Sequence, residues 1–174
     1  MEYEFTLKYR LDPQDANHDA VVERLGVAGC TDALVGLGVA GHLGLEFVRE
    51  ADSAEEAILS ALADVRSALP RAKLVEAGPD LVGLTDIADL LGVSRQNMRK
   101  LMVAHPSSFP TPVHAGSVSI WHLAPVLGFL AERQYGLAPS MLEVALAAMR
   151  VNITKEAALV GYQPQDSRFA LAAA

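Results

Sequence analysis

Apolar and polar residues alternate at the start of the chain, which is the pattern of a strand with one buried face. The alternation covers residues 2–10, and its apolar positions are Tyr3, Phe5, Leu7 and Tyr9. Asp12 and Pro13 then predict a helix start, as its N-cap and its first residue. This helix is predicted to end at Gly26. The residues predicted on its buried side are Ala20, Val21 and Leu25.

Three further strands and a second helix are predicted after it. Residues 33–39 are apolar and residues 43–47 alternate again, with a turn between the two strands. Ser53 predicts the N-cap of the second helix, and Glu56 stands where a capping-box partner belongs. This second helix is predicted to bury Ile58, Leu62, Val65 and Leu69. Residues 72–76 are predicted to form a short last strand.

The predicted fold class is α+β, because the order of these elements is βαββαβ. That order is typical of a ferredoxin-like sandwich, with four antiparallel strands and two helices on one face. We predict this module over residues 1–78, since Gly78 and Pro79 favour a boundary. The fold serves enzymes, ligand sensors, dimer interfaces and RNA-binding proteins, so it indicates no function by itself. RNA binding needs exposed aromatic residues on the central strands, which here carry glycines and aliphatic residues.

A helical pattern begins at Leu84 and is interrupted at Gly92. Thr85 is the predicted N-cap of the first helix. Gly92 stands where the chain turns sharply, a position that favours a left-handed backbone. Ser94 predicts the N-cap of a second helix. The residues predicted to face inward are Ile87, Ala88, Leu91, Val93, Met98 and Leu101. Together they predict a helix-turn-helix.

The polar side of the second helix has a chemistry that suits DNA. Residues 94–103 contain three basic residues and no acidic one. Arginine binds guanine through two hydrogen bonds, asparagine and glutamine bind adenine in the same way, and lysine holds phosphates. The alternative is the solvated face of an ordinary helical hairpin. The small Ala88, the glycine and the fixed apolar spacing favour DNA. The outward residues are Arg95, Gln96, Asn97, Arg99 and Lys100.

A β-hairpin is predicted beside these two helices, as a small wing. Its strands cover residues 109–113 and 118–121, and its tight turn covers residues 114–117. Trp121 is predicted to pack beneath the hairpin. A helix from Leu123 to Arg133 follows, and its inner side is predicted to carry Val126, Leu127 and Leu130.

The segment from about residue 81 to residue 133 resembles the winged helix-turn-helix of the MerR superfamily, in particular its AlpA- and excisionase-like branch. The matching features are Gly92-Val93-Ser94, Phe109-Pro110-Thr111-Pro112-Val113, Gly116 and Trp121. The resemblance implies that the second helix lies in the major groove and that the wing contacts the backbone or the minor groove. The wing tip, residues 114–117, lacks the arginine or lysine often found in that branch. The implied DNA-binding residues are Thr85, Ser94, Arg95, Gln96, Asn97, Arg99, Lys100, His114 and Ser117.

The rest of the chain is predicted as a helical extension over residues 136–174. Pro139 opens a helix that extends to Met149. A second short helix is predicted from Thr154, and the end from Gln163 is predicted to be loose.

The net charge of −7 is unevenly distributed along the chain. Residues 1–79 hold 7 basic and 14 acidic residues, whereas residues 80–135 hold 4 of each. The excess acid is therefore separated from the predicted DNA-binding surface, and exposed charges are screened over about 8–10 Å. The absence of an apolar span or signal-like start, together with a single cysteine, predicts a cytoplasmic protein.

Several other signals are weaker than they first look. Gly36, Gly38 and Gly41 spell G-x-G-x-x-G, but the motif needs a helix after it and a strand is predicted instead. Cys30 stands alone and is predicted to be a small buried residue. The histidines lack the spacing of a metal site: they are His18, His42, His105, His114 and His122. We expect no cofactor, no metal and no catalytic site.

The sequence thus predicts a sequence-specific DNA-binding transcriptional regulator, a repressor that acts as a homodimer through residues 81–135. Its expected partner is double-stranded DNA, with no membrane. Two alternatives stay open. The protein is an antitoxin-like repressor that also binds a partner protein through residues 1–78, or those residues are a small-molecule sensor or a remnant enzyme and DNA binding is secondary or lost.

Overall fold

The structure is a computed structural model that describes residues 1–162, so the predicted loose end from Gln163 lies outside the described residues. It is an α+β arrangement with two antiparallel sheets and, within the described part, six α-helices. The strands are β1 (Glu2–Arg10), β2 (Ala33–Gly36), β3 (His42–Glu50), β4 (Lys73–Gly78), β5 (Leu81–Val82), β6 (His114–Ala115) and β7 (Ser119–His122). The helices are α1 (His18–Val27), α2 (Ala54–Ala68), α3 (Leu84–Leu90), α4 (Arg95–Ala104), α5 (Leu123–Ala131) and α6 (Pro139–Leu159).

The first sheet has the strand order β2-β3-β1-β4, and all neighbouring strands are antiparallel. Alternate side chains of β1 and β3 point to one side of the sheet, as predicted, and pack with α1, α2 and α6 in a first core. The central strands β1 and β3 carry aromatic residues, where only glycines and aliphatic residues were expected, but these side chains are buried rather than exposed. The rings of Phe5 and Phe47 stack across the two strands, with their centroids 5.1 Å apart. The largest fully buried side chains of this core are Phe47, Leu7, Leu25, Leu43, Leu45, Ile58 and Leu69.

The prediction for the first helix was wrong about both ends. Asp12 and Pro13 begin a 3-10 turn over Pro13–Asp15, in which the Asp12 carboxylate accepts the N–H of Gln14. Asn17 is the N-cap of α1, which ends at Val27 rather than at Gly26. The buried carboxylate of Asp15 binds Arg24 of α1 at 2.6 Å, which ties the 3-10 turn to the helix that follows.

The first hairpin of the sheet is also placed differently from the prediction. β2 ends at Gly36, opposite Gly44, three residues before the predicted end. β3 begins at His42, whose N–H binds the carbonyl of Val39. Apolar character alone therefore predicted too long a strand, because residues 37–41 belong to the loop. In α2, by contrast, the Ser53 side chain accepts the N–H of Glu56, so the predicted N-cap is confirmed.

A second core is formed by α3, α4, α5 and a small sheet with the order β5-β7-β6. Trp121 is buried, as predicted, and packs edge-on against Phe109 with ring centroids 6.0 Å apart. Phe109 in turn packs against Phe129 at 5.1 Å. The strand β5 was not predicted, since two residues are too few to show a period. The prediction that α5 buries Val126, Leu127 and Leu130 is confirmed.

Helix α6 joins the two cores, and it is one helix where the sequence predicted two. Val144 and Ala148 pack in the first core, while Ala145 packs in the second. The helix continues past Asn152, whose polar side chain points inward and is only 5% exposed. Its amide pairs with both backbone groups of Ala77, at 2.9 Å and 2.8 Å.

Asp80 ties this junction to the small sheet. Its side chain is fully buried and accepts a hydrogen bond from the Asn152 amide at 2.8 Å. Its other carboxylate oxygen lies 2.7 Å from Nδ1 of His122, at the end of β7. The backbone carbonyl of Asp80 also accepts the N–H of Leu123. One short segment therefore connects β4, α6 and α5, and fixes how the two cores meet.

Candidate nucleic-acid interface

The turn between α3 and α4 depends on Gly92, whose φ is +63°. This confirms the predicted left-handed backbone. The Val93 N–H binds the carbonyl of Ala88, which brings the chain back across the end of α3. Ala88 is fully buried, so the prediction that this position must be small agrees with its packing.

The start of α3 differs from the prediction. The helix begins at Leu84, and its N-cap is Gly83 rather than Thr85. The carboxylate of Asp86 accepts the Gly83 N–H at 2.7 Å, so an acidic residue three positions on satisfies a free amide of the first turn. Thr85 is thus released from capping, and its side chain is exposed.

Helix α4 is held by its inner side alone. Ser94 is its N-cap, as predicted, and accepts the Asn97 N–H at 3.2 Å. Met98 is 1% exposed and packs in the second core, with Leu101 partly buried beside it. The predicted outward residues are all exposed, and none of their side chains makes an ion pair or a hydrogen bond within residues 1–162: Arg95, Gln96, Asn97, Arg99 and Lys100.

A hollow of about 500 Å³ lies between the start of α3, the side of α4 and the hairpin of β6 and β7. We call it the wing hollow. It brings together four of the predicted site residues, namely Thr85, Arg95, Arg99 and Ser117. The other predicted residues do not line it: Ser94, Gln96, Asn97, Lys100 and His114. The lining residues that were not predicted for the site are Gly83, Leu84, Asp86, Met102, Val118, Ser119, Ile120 and Trp121.

The wing is shorter than predicted and its first strand is displaced. β6 is His114–Ala115, so the predicted turn residues supply a strand, while residues 109–113 lie outside it. Pro110 binds the indole instead, since its carbonyl accepts the Trp121 Nε1–H at 2.9 Å. A Cβ at Gly116 would lie 2.7 Å from Nε2 of the exposed His114, so a larger residue there would require the imidazole to move. Residues 106–132 contain no lysine or arginine.

The charges around the wing hollow are mixed. Arg95 and Arg99 line it together with one acidic residue, Asp86. One oxygen of the Asp86 carboxylate already accepts the Gly83 N–H. The carboxylate therefore has less capacity to bind the two arginines in place of a bound anion. Both arginine side chains are without an ion-pair partner among the described residues, so their charge is directed to the solvent or to a bound anion.

Two features that the sequence singled out lie elsewhere. Gly36 ends β2, and Gly38 and Gly41 lie in the connection to β3, where a strand follows rather than a helix that could hold a pyrophosphate. Cys30 is buried, as predicted, and its burial raises the pKa of the thiol to about 11. It is therefore a protonated core residue at neutral pH.

The comparisons with known proteins leave the family open. No family model, no curated protein and no solved structure matches the chain. Among residues 1–162, none of the helices combines the length and apolar character needed to cross a bilayer.

Replacing Gly92 by alanine is expected to lower the free energy of unfolding by about 1 kcal/mol, because an L side chain is strained at this φ. Nothing lies within 4 Å of the added Cβ, so backbone strain is the whole effect. Gly92→Asn is the matched control, since asparagine adopts the left-handed region more readily. Urea unfolding measures both variants. An alanine variant as stable as the parent would contradict the proposed role of this turn.

Proposed function

We propose that the protein is a sequence-specific DNA-binding transcriptional regulator whose helix α4 lies in the major groove. The observation that carries the proposal is the division of α4 into two sides. Its inner side is held by Met98 and by α3, while its outer side presents five polar residues without partners in the described chain. A recognition helix needs both properties, a fixed position and free hydrogen-bonding groups.

The dimensions of the site agree with a groove. An α-helix with its side chains is about 10–12 Å in diameter, and the major groove is about 12 Å wide and admits one helix. Arg95 and Asn97 stand on the first turn of α4, the part of a recognition helix that contacts base edges in helix-turn-helix proteins. Lys100 stands further along and suits a phosphate.

The surroundings of α4 support a winged helix-turn-helix over residues 81–135, as the resemblance to the MerR superfamily implies. In this interpretation, residues 1–78 form a ferredoxin-like module. The βαββαβ order of the elements and the strand order β4-β1-β3-β2 support it. The protein acts in the cytoplasm as a repressor without enzymatic activity. Two copies on a two-fold DNA site double the phosphate contacts, and either residues 1–78 or α6 supplies the dimer contact.

Selection of duplexes from a random library tests the proposal, followed by binding measurements on the selected sequence. We expect Arg95→Ala and Asn97→Ala to weaken specific binding by about 1–3 kcal/mol each and to relax preference at one or two positions, because a bidentate base contact is lost. Lys100→Ala is expected to weaken all sequences alike and to lower the salt slope by about 1.

Arg10→Ala serves as the matched control, because Arg10 is an exposed arginine of β1 far along the chain from α4. It should bind the selected duplex like the parent. If the library yields no preferred sequence, or if all four variants bind alike, α4 is not the recognition helix.

A further inference from the structure

The strand β1 has an edge that β4 does not cover. β3 pairs with β1 along its whole length, from Glu2 to Arg10. On the other side, β4 pairs only as far as Thr6, opposite Gly78, and then the chain leaves at Pro79. Within the described residues, the first part of β1 therefore has no strand beside it on this side.

The free edge presents the backbone groups of Glu2 and Glu4. Met1 and Ala51 exchange both hydrogen bonds across the β1–β3 ladder, each at 3.0 Å. Hydrogen-bonded pairs alternate along an antiparallel ladder, so Tyr3 and Phe5 also direct their N–H and C=O groups to β3. The same groups of Glu2 and Glu4 must point the other way, where β4 is missing.

A groove of about 560 Å³ opens beside this edge and also reaches Glu46, Phe47 and Val48 of β3, on the other side of β1. Its floor and far wall are mostly apolar, and the far wall comes from the connector, the end of α3 and the first turns of α6. The apolar lining residues are Phe5, Phe47, Val48, Pro79, Leu90, Ala138, Met141 and Val144. An unpaired edge beside an apolar groove is the arrangement by which a sheet accepts an additional strand.

The charge of the groove indicates what kind of strand fits. Glu2, Glu4 and Glu46 line it, and their carboxylates make no ion pair or hydrogen bond with any residue between 1 and 162. No lysine or arginine lines the groove. A second copy of β1 would place Glu2 and Glu4 against their own counterparts, and like charges directly opposite each other destabilise a sheet.

We propose that this edge binds an extended segment of a partner protein in which basic and apolar residues alternate. Residues directly opposite in a sheet point to the same face, so the basic side chains lie beside Glu2 and Glu4. The intervening apolar side chains point to the other face, toward Phe5 and Met141. This site is separate from the surface of α4, and its occupation does not depend on DNA binding.

The probe is a labelled six-residue peptide of alternating lysine and valine, with capped ends, measured by fluorescence anisotropy without DNA. We expect it to bind the parent, and expect an otherwise identical glutamate–valine peptide not to bind. Glu4→Lys should weaken binding of the lysine peptide about tenfold or more, through a like charge placed beside it. Glu23→Lys, an exposed acid on α1, is the matched control and should leave binding unchanged.

A second pair of measurements separates strand addition from simple charge attraction. Glu4→Pro removes the N–H on the free edge, a place where a sheet tolerates proline, and we expect it to weaken binding while circular dichroism shows the fold retained. A peptide methylated on alternate backbone nitrogens should lose affinity too. Equal binding of the methylated peptide, or of Glu4→Lys and the parent, would overturn the proposal. So would self-association of the protein that excludes the peptide, since the edge would then belong to a second copy.

Discussion

Replacing Asn152 by alanine is expected to lower the free energy of unfolding by about 3 kcal/mol, because it leaves several buried groups unsatisfied at once. The Ala77 N–H and carbonyl both lose a partner, and so does the buried Asp80 carboxylate. Chemical unfolding measures the loss. Asn152→Asp should be worse at neutral pH, since a second carboxylate would then stand 2.8 Å from the first.

The neighbouring Ile153→Ala is the control for this effect. Ile153 lies on the same helix but is 48% exposed, so its truncation should change the stability by less than about 1 kcal/mol. If Asn152→Ala and Ile153→Ala were equally stable, the junction of α6 with Ala77 and Asp80 would not be what holds the two cores together.

Arg49→Met is the second change with a large expected effect, about 3–5 kcal/mol of destabilisation. Arg49 is only 8% exposed and lies between two carboxylates. It binds Asp32 through two contacts, at 2.7 Å and 3.0 Å, and Asp64 at 2.8 Å. Its guanidinium also lies 5.0 Å from the ring centre of Phe47. Removing the cation leaves two partly buried carboxylates without their ion-pair partner.

The contribution of the Arg49–Asp32 pair to the free energy of unfolding depends on pH with a definite sign. The hydrogen bond from Arg49 holds the pKa of Asp32 below its ordinary value of 3.8. The stabilising contribution is therefore present above that value and is lost as the pH falls through the lower pKa of the folded state. Between about pH 5 and about pH 2, the parent should lose stability more steeply than Arg49→Met.

Arg10→Met provides the control, because Arg10 is exposed and makes no ion pair within residues 1–162. Its unfolding free energy and acid transition should match those of the parent. An Arg49→Met variant whose stability falls with acid as steeply as the parent's would show that the Arg49–Asp32 pair contributes little.

The helices α3 and α4 and the turn between them could be predicted closely because their determinants are local. Gly92 needs a left-handed backbone and Ser94 caps the helix three residues before Asn97, so short spacings suffice. The period-2 pattern of β1 is likewise a local consequence of one buried face. The capping of α3 was missed because Gly83 and Asp86 cooperate through a backbone amide, which leaves a weaker pattern than Thr85 does.

The longer-range features could not be predicted in the same way. In the sequence, a polar residue such as Asn152 within an apolar helix suggests that the helix ends there. Its partners are Ala77 and Asp80, which lie more than 70 positions earlier in the chain. The wing hollow is a similar case, since Asp86 and Ser117 line it together although they are far apart in the sequence. The open edge of β1 depends on where β4 ends, and apolar periodicity predicts strand ends poorly.

Methylation interference on the selected duplex tests the central proposal most directly. Dimethyl sulphate methylates guanine at N7, in the major groove, and adenine at N3, in the minor groove. If α4 reads base edges, guanine methylation within a few neighbouring base pairs should prevent binding of the parent, and Arg95→Ala should lose sensitivity at one of those guanines. Binding that ignores guanine N7 methylation throughout the selected site would contradict the account.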